Sequence, residues 1–131
     1  MKKIPLQMNR VHDCMAWLER ELEPTGEPQS IDALIMRMDA FCASLPFING
    51  QMATANAVYN EKKVKAYKDM IKQFGQEEYF APSLAKDYVS AMLSSEAYDK
   101  DLCERCSRTL THLIDAMRTS ISAMKAERQY A

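Results

Sequence analysis

Cys103 and Cys106, three residues apart, form the spacing in this chain most suggestive of chemistry. Two thiolates so placed hold zinc when a second pair, or two histidines, completes the tetrahedron. They perform thiol–disulfide chemistry when the pair opens a helix, whose N-terminus stabilises a thiolate. Neither setting is evident. The pair falls inside a segment of helical periodicity, and His12, Cys14, Cys42 and His112 are scattered. All four cysteines fall on, or at the edge of, apolar helical faces, so the reading is reduced structural cysteine and no metal.

His112 lies three residues before Asp115, and a carboxylate at that distance can orient an imidazole as a general base. No serine or cysteine nucleophile is spaced to complete a triad, which favours a solvated or packing histidine. Asp99 with Asp101, and Glu77 with Glu78, read as solvated carboxylates, because glycosidic chemistry needs two acids facing one cleft. There is no glycine-rich phosphate loop, nucleotide-binding fingerprint or convincing helix-turn-helix. No catalytic residue and no cofactor is assigned, and an enzyme is not expected.

Two basic clusters remain. Lys62, Lys63, Lys65, Lys68 and Lys72 stand against Glu61 and Asp69, while Arg105, Arg108, Arg118, Lys125 and Arg128 stand against Asp115 and Glu127. The formal net charge of the chain is -1, so positive charge is segregated rather than general. A run of charge is ordinarily a solvated face. The second cluster differs by interleaving Thr111, His112, Thr119 and Ser122, and arginine, imidazole and hydroxyl groups together suit a phosphate. Arg105, Arg108, His112, Arg118, Ser122 and Lys125 are the candidate ligand contacts. Tyr59, Tyr67, Tyr88, Tyr98 and Phe80 offer rings for stacking on a base.

The elements that must position these groups are helices. With 3 glycines and 5 prolines in 131 residues there are few turns, and abundant Met, Ala, Leu, Lys and Glu beside only four valines favours helix over sheet. Val11, Cys14, Met15, Leu18 and Leu22 predict a helix from about Asn9 to Glu23, with Trp17 on its flank. The stretch Glu23-Pro24-Thr25-Gly26-Glu27-Pro28 breaks it, and Ser30 caps a second helix carrying Ile31, Leu34, Ile35, Met38, Cys42 and Leu45. Pro46 either opens a third helix or interrupts a continuous one. Ile48, Met52, Ala55, Tyr59, Ala66, Met70 and Phe74 continue the pattern for about 28 residues, roughly 40 Å, to a helix-ending Gly75.

Pro82 and Ser83 open a shorter helix with Leu84, Tyr88, Met92 and Leu93, and Ser94 and Ser95 offer a cap for the last one. That helix, from about Glu96 to Arg128, sets Cys103, Cys106, Leu110, Leu113, Met117, Ile121 and Met124 on one arc. Thr109, Ala116, Ser120 and Ala123 flank the arc with side chains small enough for a neighbouring helix to approach. The expected fold is all-α, a single helical domain over residues 1–131: an elongated bundle with two long antiparallel helices and shorter flanking ones. No apolar run approaches the roughly 18 residues that span a bilayer, and no apolar stretch follows the basic N-terminus as in a signal peptide. A cytoplasmic protein without a membrane partner is expected.

The series Tyr98, Arg105, Arg108, Thr111-His112, Ile114-Asp115, Arg118, Ile121-Ser122, Lys125 and Glu127, preceded by Lys86-Asp87-Tyr88 and Ser90, resembles the C-terminal part of small all-helical proteins from bacteriophages and related mobile elements. The resemblance covers the last third of the chain, and the family has no assigned activity. It implies a phage-encoded protein in the host cytoplasm that works by binding. A counter-defence role then follows, sequestering an anionic nucleotide-type signal or inhibiting a host factor, with homo-oligomerisation expected. The alternative is a replication or recombination accessory protein that binds single-stranded DNA or a replisome protein. A third reading is a protein–protein inhibitor that uses adaptable methionine-rich faces.

Overall fold

The computed structural model describes residues 3–23, 26, 29–74 and 82–130. These form helices α1 (Met8–Glu21), α2 (Ile31–Phe74), α3 (Pro82–Met92) and α4 (Ser94–Tyr130), with no strand among the described residues. The helix end expected at Gly75, the connection through Ala81, Phe80 and the Glu77–Glu78 pair lie outside the described residues, as do Pro24, Thr25, Glu27 and Pro28 of the first break.

Of the two readings open at Pro46, a new helix or an interrupted continuous one, the continuous helix is the one observed. α2 runs unbroken for 44 residues with Pro46 inside it, about 66 Å long at 1.5 Å per residue. An internal proline removes one backbone donor and costs about 3 kcal/mol in an exposed helix. Two features make this position tolerable. Pro46 and Cys42, whose carbonyl loses its partner, both face solvent, which leaves that carbonyl open to water rather than buried and unpaired. On the opposite face Phe41 and Ile48 are fully buried, so packing holds the helix together on both sides of the interruption. Ser30 does cap α2, its hydroxyl accepting the Ala33 amide at 3.1 Å.

α4 packs antiparallel along α2. Lys62 meets Glu96, Asn49 meets Ser107, and Ile31 and Leu34 share a cluster with Ile121, so the partner's number falls as α2's rises. The apolar surface between them divides into three parts. The central part receives α1 and contains Val11, Leu18, Phe41, Ile48, Cys103, Cys106 and Leu110. Toward the end of α2, Ala66 and Met70 pack with Val89 of α3 and with Leu93. Toward its start, Ile31 and Leu34 pack with Ile121, and Ile35, Met38, Met117 and Met124 flank them.

Several expected faces shift. Phe41, rather than Cys42, occupies the core, and Cys42 is exposed. Leu22 is exposed because α1 has ended beside it, and in α3 the buried positions are Val89 and not Leu84 or Met92. Ser94 and Ser95 are inside α4 rather than before it. Leu93 separates α3 from α4, and its carbonyl accepts the Ala97 amide at 2.9 Å. Of the small residues flanking α4's arc, Ala116, Ser120 and Ala123 are exposed, with no helix among the described residues covering them.

Ahead of α1 the chain is extended along α2. The fully buried Gln51 accepts the Gln7 amide through Oε1 at 2.6 Å and donates from Nε2 to the Pro5 carbonyl at 2.9 Å. The Thr54 hydroxyl donates to the Ile4 carbonyl at 2.8 Å. A Cβ at Gly50 would come within 3.2 Å of Ile4 Cδ1, so glycine permits this close approach. At the other end of α1, Arg37 donates to Glu21 Oε2 at 2.9 Å, to the Glu21 carbonyl at 2.9 Å and to Gln29 at 2.7 Å. A cation there satisfies a carbonyl that the helix itself leaves unpaired.

Candidate functional site

α4 buries Cys103, Cys106, Leu110, Leu113, Ile114 and Ile121 against its neighbours and half-buries Met117. All of Arg105, Arg108, His112, Arg118, Ser122 and Lys125 are exposed, but at 3.6 residues per turn only Arg105, Arg108 and His112 lie opposite the buried arc, with Ser122 nearer its edge and Arg118 and Lys125 on its flank. They do not form one cluster. Arg105 and Lys125 are twenty residues apart, about 30 Å of helix axis, so a mononucleotide cannot touch both. Arg105, Arg108 and His112 occupy two successive turns. Arg118, Ser122 and Lys125 lie toward the far end, beside the start of α2.

The charges in the two groups are differently engaged. Arg118 faces Asp115 across 3.9 Å, both well exposed. Arg105 and Arg108 have no carboxylate within ion-pair distance among the described residues. The threonine hydroxyls of this face are committed: Thr111 donates to the Ser107 carbonyl at 2.9 Å and Thr119 to the Asp115 carbonyl at 3.0 Å. They are therefore weaker candidates for a ligand than their residue type suggests. His112 is exposed and has no hydrogen-bond partner among the described residues, so Asp115 does not orient it.

Tyr98, Arg105 and His112 recur every seventh residue, which places them along one line of the helix surface. Tyr98, Asp101, Leu102 and Arg105 line an open groove of about 250 Å³. Outside that lining, His12 of α1 stacks on Tyr98 with centroids 6.3 Å apart and planes 24° apart. The groove thus sets the Tyr98 ring, backed by His12, near a guanidinium with no ion pair among the described residues, with one carboxylate between. The heptad spacing was visible in the sequence, but His12 was not tied to it, because only the packing of α1 brings that imidazole to Tyr98.

The lysines of α2 are all exposed, and Lys62 is bound at 2.9 Å to the half-buried Glu96. That hydrogen bond holds the Glu96 carboxyl below the ordinary carboxylate range. Lys100 and Lys63 flank the Tyr59 ring at 4.9 and 5.9 Å, which occupies the ring otherwise available for stacking.

Family models, curated proteins and solved structures give no match to this chain.

Among the described residues no group of three or more His, Cys, Asp or Glu side chains is placed to hold a metal ion, and no helix is long and apolar enough to cross a membrane. The central cysteines separate by exposure: Cys103 and Cys106 are fully buried, Cys14 half-buried and Cys42 exposed. The groove at Tyr98 and the basic residues that follow it along α4 form the candidate site.

Proposed function

We propose that this chain is a non-catalytic binding protein that holds an anionic, nucleotide-type ligand at the start of the exposed face of α4. The observation that carries the reading is the groove in which Tyr98, stacked on His12, lies beside Arg105. A planar base stacks on the exposed Tyr98 ring, Asp101 accepts from a sugar hydroxyl, and Arg105 and Arg108 take the phosphate. Asp101 opposes a bare phosphate in the groove itself, which selects a ligand with a neutral donor-bearing part over a simple anion. Sequestration of a nucleotide signal as counter-defence is the setting that the likeness to phage-encoded proteins suggests. Two copies bound side by side through Ala116, Ser120 and Ala123 would extend the same face.

A second reading has its own support. Basic and hydroxyl groups continue to Lys125, winding over about 30 Å from the far side of α4 to its flank, and a path of that length suits an extended polyanion such as single-stranded DNA better than a mononucleotide.

Calorimetric titration with a panel of nucleotide second messengers and short single-stranded oligonucleotides tests both. For the first reading, Arg105→Ala or Arg108→Ala weakens nucleotide binding by about 1–2 kcal/mol, five- to thirtyfold, while Arg118→Ala leaves it within a few-fold. For the second, only oligonucleotides bind, steeply weakened by salt, and Arg118→Ala and Lys125→Ala matter as much as Arg105→Ala. Nucleotide binding that survives loss of both Arg105 and Arg108 refutes the site. Failure of the whole panel to bind points to a protein target.

A further inference from the structure

Sulfur atoms gather where α1 lies against α4. The Cys106 thiol donates to Cys14 Sγ at 3.6 Å, and the Cys103 thiol to Met8 Sδ at 3.9 Å. The second contact is to a thioether and leads no further. The first joins two thiols of unequal access. Cys106 is fully buried in the central core. Cys14 is half-buried and lines an open groove of about 340 Å³ together with Arg10, Asp13, Trp17 and Ser44.

We propose that Cys14 and Cys106 are a redox-active pair, Cys14 being oxidised by a hydroperoxide from solution and Cys106 resolving it to a disulfide between α1 and α4. The order follows from access, because a peroxide entering the groove meets Cys14 and cannot meet Cys106. It is reinforced by the hydrogen bond between them. Donation by Cys106 favours the thiolate at Cys14 and holds its pKa below that of an ordinary thiol, against an opposing effect of burial. The same hydrogen bond and the burial of Cys106 keep the proton on Cys106, pushing its thiol well up. The nucleophile and the resolving thiol are thereby distinguished.

In the first step the Cys14 thiolate attacks the outer peroxide oxygen. An S–O bond forms, the O–O bond breaks, and the departing oxygen takes a proton to leave as alcohol or water. In the second, the Cys106 sulfur attacks the sulfur of the Cys14 sulfenic acid. The S–S bond forms, the S–O bond breaks, and the Cys106 proton leaves with the hydroxyl as water. Both thiols together give up two electrons, and the hydroperoxide accepts them. The sulfurs must close from 3.6 Å to a bond of about 2.05 Å.

The test uses the full chain, reduced, exposed to hydrogen peroxide, alkylated and cut with trypsin. Cleavage after Arg105 places Cys103 and Cys106 on different peptides. The expected product joins the peptide 11–20 to the peptide 106–108 within one chain and is reversed by dithiothreitol. The oxidised protein melts higher by on the order of 10 °C, since the bridge closes a loop of 92 residues. In Cys106→Ala, Cys14 stops at the sulfenic acid and is captured by a dimedone-type trap, whereas Cys103→Ala leaves the bridge unchanged. Peroxide that spares Cys14, that carries it past sulfenic acid without a bridge, or that links it to Cys103 or Cys42 overturns the proposal.

Discussion

Gln51, buried in the middle of α2, holds the backbone of Gln7 by a 2.6 Å hydrogen bond into its side-chain Oε1. A residue in the long helix thereby fixes where α1 begins, since Gln7 is the residue that precedes α1 and no side chain caps that helix end. The same amide holds the Pro5 carbonyl, so both ends of this side chain are used on one stretch of backbone. Gln51→Leu keeps the bulk and leaves both backbone groups unpaired. The expected cost is about 1–3 kcal/mol in urea unfolding. The Gln7 amide should also exchange with solvent faster, and unchanged exchange there would show that Gln51 does not anchor the segment.

Arg37 ties the other end of α1 to α2. Its guanidinium meets the Glu21 carboxylate, the Glu21 carbonyl and Gln29, and the Arg37 and Glu21 side chains are only 23% and 30% exposed. Arg37→Ala should cost about 1–3 kcal/mol, the range for charge-assisted hydrogen bonds that are partly shielded from water. Arg37→Lys should recover less than half of that, because an ammonium cannot present the same planar fork. Thermal melts of both variants decide it. Two melts within experimental error of the parent protein would show the pair to be worth no more than an exposed one.

Leu110 is fully buried in the central cluster, where α1, α2 and α4 meet. Leu110→Ala should destabilise by about 2–5 kcal/mol, as expected for a cavity in a packed core. Leu84 and Met92, respectively 56% and 52% exposed, should tolerate alanine within about 0.5 kcal/mol. Denaturant melts that reverse this order would mean that the helix phases of α3 and α4 are misassigned. The exposed position of Arg105 and Arg108 would then be wrong as well.

Because the Cys14 thiolate accepts a hydrogen bond from Cys106, its alkylation by iodoacetamide should begin below the pH at which a free thiol, with a pKa near 8.5, becomes reactive. Cys106→Ala removes the donor and should move the onset upward. Stopped reactions read by mass spectrometry at a series of pH values follow this directly. An onset at or above the free-thiol value in the parent protein would show that burial outweighs the hydrogen bond.

The sequence read by itself determined the kind of element and most of the buried face. Three-four spacing at Ile48, Ala55, Leu110 and Ile121 can be satisfied by a helix with one face against a core, and these residues are buried. Ser30 caps its helix because a hydroxyl before an apolar periodic run has a local partner, the Ala33 amide. The exposure of Arg105, Arg108, His112, Arg118, Ser122 and Lys125 followed from the same periodicity.

Tertiary structure decided the rest, wherever a residue's partner is remote in the chain. Pro46 is ambiguous locally, and α2 continues through it because Phe41 and Ile48 are buried on the face away from the lost hydrogen bond. Polar Gln51 lies in the core since its two partners, Gln7 and Pro5, are more than forty residues away. His12 joins Tyr98, and Cys14 joins Cys106, across separations of 86 and 92 residues that no local pattern encodes. Periodicity reports which face of a helix is apolar. The antiparallel docking of α4 on α2, with α1 laid against both, determines which side chains on those faces meet.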